Sequence, residues 1–130
     1  MNILTSKLIV IKIGSSTLVD KTENFKKDWI NKLIDDVHFL INKKIKVIIV
    51  TSGAIALGCK LLKKNKKNLK LKEYQAVAAV GQIELMNLFK KSFLRKKITV
   101  AQILLTLEDT ENRRRSLNAK DTITNLFMMN

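Results

Sequence analysis

Two short turns hold the residues best suited to chemistry, Lys12-Ile13-Gly14-Ser15-Ser16 and Thr51-Ser52-Gly53-Ala54-Ile55. Each follows an apolar run that reads as a buried strand. Small-residue turns of this kind expose backbone N–H groups, and a helix that follows adds unsatisfied donors and partial positive charge. Phosphate oxygens or a carboxylate suit such a place. Gly14 and Gly53 would let the backbone approach a ligand closely and would permit positive φ. Ser15, Ser16 and Ser52 add hydroxyl donors. Neither turn matches G-x-G-x-x-G or G-x-x-x-x-G-K-[ST], which disfavours both common mononucleotide folds. Two such turns on one open sheet still point to a ligand beyond the carboxyl ends of the strands.

Lys12 is the most pointed single residue. It interrupts the run from Leu8 to Ile13, where a buried ammonium without a partner would be expensive. Near the strand's end it could reach a crevice and stabilise the charge on transferred phosphoryl oxygens. The plainer alternative is an edge-strand lysine that snorkels to water. Glu108, Asp109 and Glu111 form a second polar concentration, better explained as charge at a helix start than as a metal site. Arg113, Arg114 and Arg115 oppose the dipole of the helix they open, so Asp109, a subunit contact or a ligand must compensate. Asn118 and Asp121 read as surface residues. His38 reads as a boundary histidine, Cys59 as a small packing residue and Trp29 as core. A lone cysteine and one histidine leave no disulfide and no zinc set.

The elements that must position these residues follow from hydrophobic periodicity. Strands are expected over 8–13 and 46–50, the first as an interior parallel strand covered on both faces. A helix over about 25–41, capped by Thr22 or Asn24, carries the stripe Trp29, Leu33, Val37 and Leu40 or Ile41. A short helix begins at Ala54, and residues 60–72 form a lysine-rich excursion. A long helix spans about 74–93, with Val77, Val80 or Gly81, Leu85 and Leu88 on one side. Gly81 costs that helix about 1 kcal/mol relative to alanine, so another backbone should pack closely against it. A third strand is expected over 99–106 and a last helix over about 113–128. The pattern is α/β, an incomplete three-layer α-β-α sandwich with a mainly parallel sheet. It should leave an exposed apolar surface or an unpaired strand edge near the C-terminus.

The 130 residues suffice for one domain, taken as 1–130 with no second domain, and 46% are apolar, which argues against disorder throughout. No apolar stretch approaches the roughly 20 residues that span a bilayer, and the N-terminus lacks signal-peptide features. A cytoplasmic protein without membrane contact is the expectation. The net charge of +14 raises nucleic-acid binding. Lysines far outnumber arginines, however, and no aromatic residue interleaves the run from Lys60 to Lys72, so this reading is disfavoured.

Five ordered blocks carry a more specific resemblance: Val10 to Ser16, Val47 to Gly58, Gln75 to Gln82, Ala101 to Thr106 and Arg115 to Thr122. Together the chain resembles the amino-terminal half of the kinase domain of the glutamate 5-kinases, within the amino-acid kinase superfamily. The resemblance implies phosphorylation of the L-glutamate side-chain carboxylate by ATP, with Mg²⁺ held mainly through ATP and no protein metal ligand. It implies that Lys12, Gly14 and Ser15 contact the ATP phosphates and that Ser52, Gly53 and Ala54 bind glutamate. An Asn-Glu-Asn-Asp stretch, an organising aspartate, the adenine pocket and a second phosphate lysine would lie beyond Asn130. The expectation is therefore no turnover by these residues alone, and a homo-oligomer or a complementary missing half as partner. The alternative is an inactive or split-gene fragment acting as a structural or basic nucleic-acid-binding protein.

Overall fold

Branched apolar runs form two strands in the computed structural model, which describes residues 3–20 and 25–129. These are β1 (Leu8–Ile13) and β2 (Lys46–Thr51). They pair in parallel, Leu8 opposite Lys46 and Ile13 opposite Thr51, so both stop at the same level. One helical turn, α1 (Ser15–Leu18), and a longer helix, α2 (Lys27–Asn42), connect them. After β2 come α3 (Ala54–Leu61) and α4 (Leu71–Leu94), then α5 (Leu107–Glu111) and α6 (Arg113–Met128). The expected caps Thr22 and Asn24 lie outside the described residues.

The chain divides into two units, Met1–Thr99 and Val100–Asn130. In the first, Ile13, Leu18, Leu33, Val37, Leu57, Leu85, Phe89 and Phe93 belong to one buried cluster, against which Ile11, Val47 and Ile49 also pack. Strand side chains alternate between faces, so this is one face of the sheet. The other is open: Leu8 is 46%, Val10 59% and Val50 49% exposed. β1 is therefore covered on one face, not two. Beyond α4, Lys96 pairs with Asp35 of α2 at 2.8 Å and Arg95 donates to Asn31 at 2.8 Å. The Lys96 ammonium holds the Asp35 carboxyl below the usual aspartate range.

The expected strand over 99–106 does not form. Among the described residues the sheet has two strands, and residues 99–106 join no ladder. Branched residues favour a strand, but a ladder exists only when a neighbour accepts its hydrogen bonds. Leu104, Leu105 and Leu107 remain exposed, which meets the expectation of uncovered apolar surface near the C-terminus. In the second unit, Thr106 and Asp109 form a reciprocal cap for α5, and the Asn112 side chain accepts from the Arg114 and Arg115 amides to start α6.

α3 and α4 approach backbone to backbone. A methyl group on Gly81 would overlap the carbonyl oxygen of Ala54 and the nitrogen of Gly58, and one on Gly58 would overlap the carbonyl of Val77. The close packing expected at Gly81 is present, and it fixes the first residue of α3. Gly81→Ala is expected to destabilise the protein by about 1–3 kcal/mol through this overlap. That outweighs the gain in helix propensity. A lowered thermal midpoint is the expected readout, and a raised one would contradict this packing.

Candidate functional site

Parallel pairing delivers the two turns to neighbouring positions. The Ser52 amide donates to the Ile13 carbonyl at 3.2 Å, extending the contact past the last strand pair. The Cβ direction of Gly53 points to within 3.5 Å of a Leu18 methyl and 4.0 Å of the Ser15 Cα. The starts of α1 and α3 therefore stand side by side. Neither first turn contains an acidic residue, which suits both to an anion.

The two glycines differ. Gly53 caps α3 at φ 129° and is buried, a conformation that side chains strongly disfavour. Gly14 has φ −77° and ψ 159°, ordinary extended backbone. The positive φ allowed for at both positions is used at Gly53 alone. Apart from Gly14 itself and its chain neighbours, no heavy atom lies within 4 Å of where a Gly14 Cβ would be, so glycine there leaves room instead of solving a backbone problem. Ser15 is half-buried and Ser16 exposed at the start of α1. Ser52 is exposed with its amide engaged, leaving its hydroxyl as the group to offer a ligand. Ala54 opens α3, with its carbonyl against Gly81.

Lys12 lies opposite Val50 in the ladder. It is exposed on the open face of the sheet, next to the strand's last residue. Lys26 also stands at the first turn. Its ammonium donates to the Ser16 carbonyl at 2.8 Å, so a second cation adjoins the first turn. In a chain with so many lysines nothing in the sequence marks this one.

The remaining candidates have local roles. Arg115 pairs with Glu108 at 2.9 Å and with Asp109 at 3.6 Å, which compensates that one member of the arginine run. Asp109 accepts from the Thr106 amide and hydroxyl, both at 2.7 Å. Those bonds, with help from Arg115, hold its carboxyl below the ordinary value of 3.8. Among the described residues no three His, Cys, Asp or Glu side chains form a metal-holding group. His38 Nε2 lies 3.5 Å from the Asn42 side-chain nitrogen, Cys59 is buried, and Trp29 packs against the core. Asn118 and Asp121 are exposed on α6. Two surface depressions, one beside Arg115 and one lined by Lys63 to Lys67, include neither Lys12 nor the turns.

A model described as the amino acid kinase family matches residues 7–130. The chain is 57% identical over 129 residues to glutamate 5-kinase of Pelagibacter ubique (strain HTCC1062), covering 99% of this chain and 35% of that protein. It is 48% identical over 121 residues to glutamate 5-kinase 1 of Mesorhizobium japonicum, covering 93% and 32%. With glutamate 5-kinase of Rhizobium johnstonii the identity is 52% over 119 residues, covering 92% and 31%. The chain spans about a third of the length of these relatives.

The contrast between the glycines gives a paired expectation. Gly53→Ala should destabilise by about 1–3 kcal/mol, the cost of a strained backbone conformation, whereas Gly14→Ala should change stability by less than about 0.5 kcal/mol. Denaturant titration of both variants checks this, and equal losses would contradict it. Asp109 gives a pH expectation. A folded-state pKa below the unfolded value adds stability that is present above the unfolded pKa and lost as pH falls through the folded one. The α5 cap should therefore persist at neutral pH and weaken only below 3.8. A side-chain carboxyl NMR titration of Asp109 with a midpoint above that value would contradict the cap.

Proposed function

Because the chain belongs to the amino acid kinase family, we propose that it is the amino-terminal part of an ATP-dependent kinase for the side-chain carboxylate of L-glutamate. The observation that carries this reading is the side-by-side placement of two acid-free helix starts at paired strand ends. The names of its relatives supply the substrates. Both units of the chain belong to one kinase domain in this reading. The activity resides in a polypeptide of the relatives' length, or in an assembly that completes the site.

The glutamate carboxylate is ionised at neutral pH, since an ordinary glutamate titrates near ~4.3, so no general base is required. One carboxylate oxygen bonds to the γ-phosphorus as the bond from that phosphorus to the β,γ-bridging oxygen breaks. The products are L-glutamyl 5-phosphate and ADP. Catalysis of such a transfer is mostly positioning and charge stabilisation. Lys12 acts on the transferred phosphoryl oxygens, and Gly14 and Ser15 hold the ATP phosphates. The Ser52 hydroxyl, with the backbone of Gly53 and Ala54, holds glutamate. The magnesium ion enters with ATP as part of that substrate.

MgATP and free glutamate as substrates go with a cytoplasmic setting. Among the described residues no helix is long and apolar enough to cross a membrane. The open face bearing Leu8, Val10 and Val50 needs a cover, which a second copy or the rest of the kinase domain supplies.

Hydroxamate trapping of the acyl phosphate tests the proposal. The 130-residue chain alone should give no ATP- and glutamate-dependent product, and a protein of the relatives' length that contains it should. In that protein, Lys12→Met should lower kcat by about 10²–10³-fold, as loss of one charge-stabilising donor does. Turnover by the purified monomeric chain, or a near-unchanged rate for Lys12→Met, would contradict the reading.

A further inference from the structure

Lys26 occupies the joint between α1 and α2. An isolated antiparallel bridge between Val19 and Phe25 returns the chain to α1. There Lys26 uses three groups. Its backbone N–H donates to the Leu18 carbonyl at 2.9 Å, and its own carbonyl accepts the Ile30 amide at 3.1 Å as α2 begins. Its ammonium donates to the Ser16 carbonyl at 2.8 Å.

α1 has only four residues, and a single helical turn does not hold itself, because nucleation is costly and its last carbonyls lack partners within the helix. The Gly14 and Ser15 carbonyls accept from Thr17 and Val19 at 3.1 and 3.0 Å. Lys26 supplies partners for Ser16 and Leu18. The bond to Ser16 is charge-assisted and so stronger than a neutral one. It also places positive charge at the Ser16 carbonyl of the first turn.

We propose that Lys26 is a positioning residue for the Gly14–Thr17 turn, holding it in the form that receives the phosphate groups of the substrate. This rests on the phosphate-binding reading of that turn given above. Lys26 acts through the turn and forms no bond to substrate. Arginine can donate to the same carbonyl, whereas methionine keeps the aliphatic stem without the donor.

The test uses a ¹⁵N-labelled protein of the relatives' length that contains these residues, as wild type, Lys26→Met and Lys26→Arg. It compares amide exchange at Thr17 and Val19, MgATP titration read at Gly14 and Ser15, and the thermal midpoint. In Lys26→Met, exchange should accelerate and MgATP affinity should fall, each about tenfold, as expected for loss of one charge-assisted hydrogen bond. The thermal midpoint should stay close to wild type, and Lys26→Arg should restore both properties. Unchanged exchange, unchanged affinity, no rescue by arginine or global unfolding of Lys26→Met would each overturn the proposal. Failure of wild type to respond to MgATP would instead sink the phosphate reading itself. The exchange rates would then still decide whether Lys26 holds the turn.

Discussion

The parallel, in-register pairing of β1 with β2 is the constraint on which the rest depends. It ends both strands at one level, lets the Ser52 amide reach the Ile13 carbonyl and sets Gly53 beside Ser15. Register here is a matter of hydrophobic alternation. A slip of one residue would turn Ile11 and Ile13 out of the core and put Val10 and Lys12 into it. Two strands alone are marginal, so the buried cluster from α2, α3 and α4 on one face is what makes the pairing hold.

The two turns are secured differently. α3 is fixed from behind, because Gly58 and Gly81 allow helix backbones to touch and the Ala54 carbonyl meets Gly81 directly. That contact is close packing of uncharged backbone groups. α1 is too short for such support and relies on hydrogen bonds, two of them from Lys26. The turn assigned to glutamate is thus built into the core, and the turn assigned to ATP is held at the surface.

Much of this arrangement is legible in the sequence. Both strands and the long helices follow from periodicity, and Gly81 stands out because a glycine in mid-helix needs a reason. What is hidden depends on neighbours. Residues 99–106 have strand-like composition, but composition does not provide a partner edge. The nearly unbroken run at Leu8 suggests cover on both faces, although exposure of Leu8 and Val10 shows only one. Gly14 and Gly53 look alike as letters and differ in φ, because one starts a lone turn in open space and the other must bend β2 into α3. Lys26 is concealed by the abundance of lysine, while Arg115 advertises itself by opposing a helix dipole and is answered by Glu108 and Asp109.

The joining of the two turns into one site is tested most directly by proton–proton contacts in the 130-residue chain in solution. A nuclear Overhauser spectrum should contain cross-peaks from a Gly53 α-proton to a Leu18 methyl and to the Ser15 α-proton, matching separations of 3.5 and 4.0 Å from the Gly53 Cβ direction. A well-dispersed spectrum that lacks both, with Gly53 and Ser15 each in contact with other residues, would place the turns apart and contradict the account.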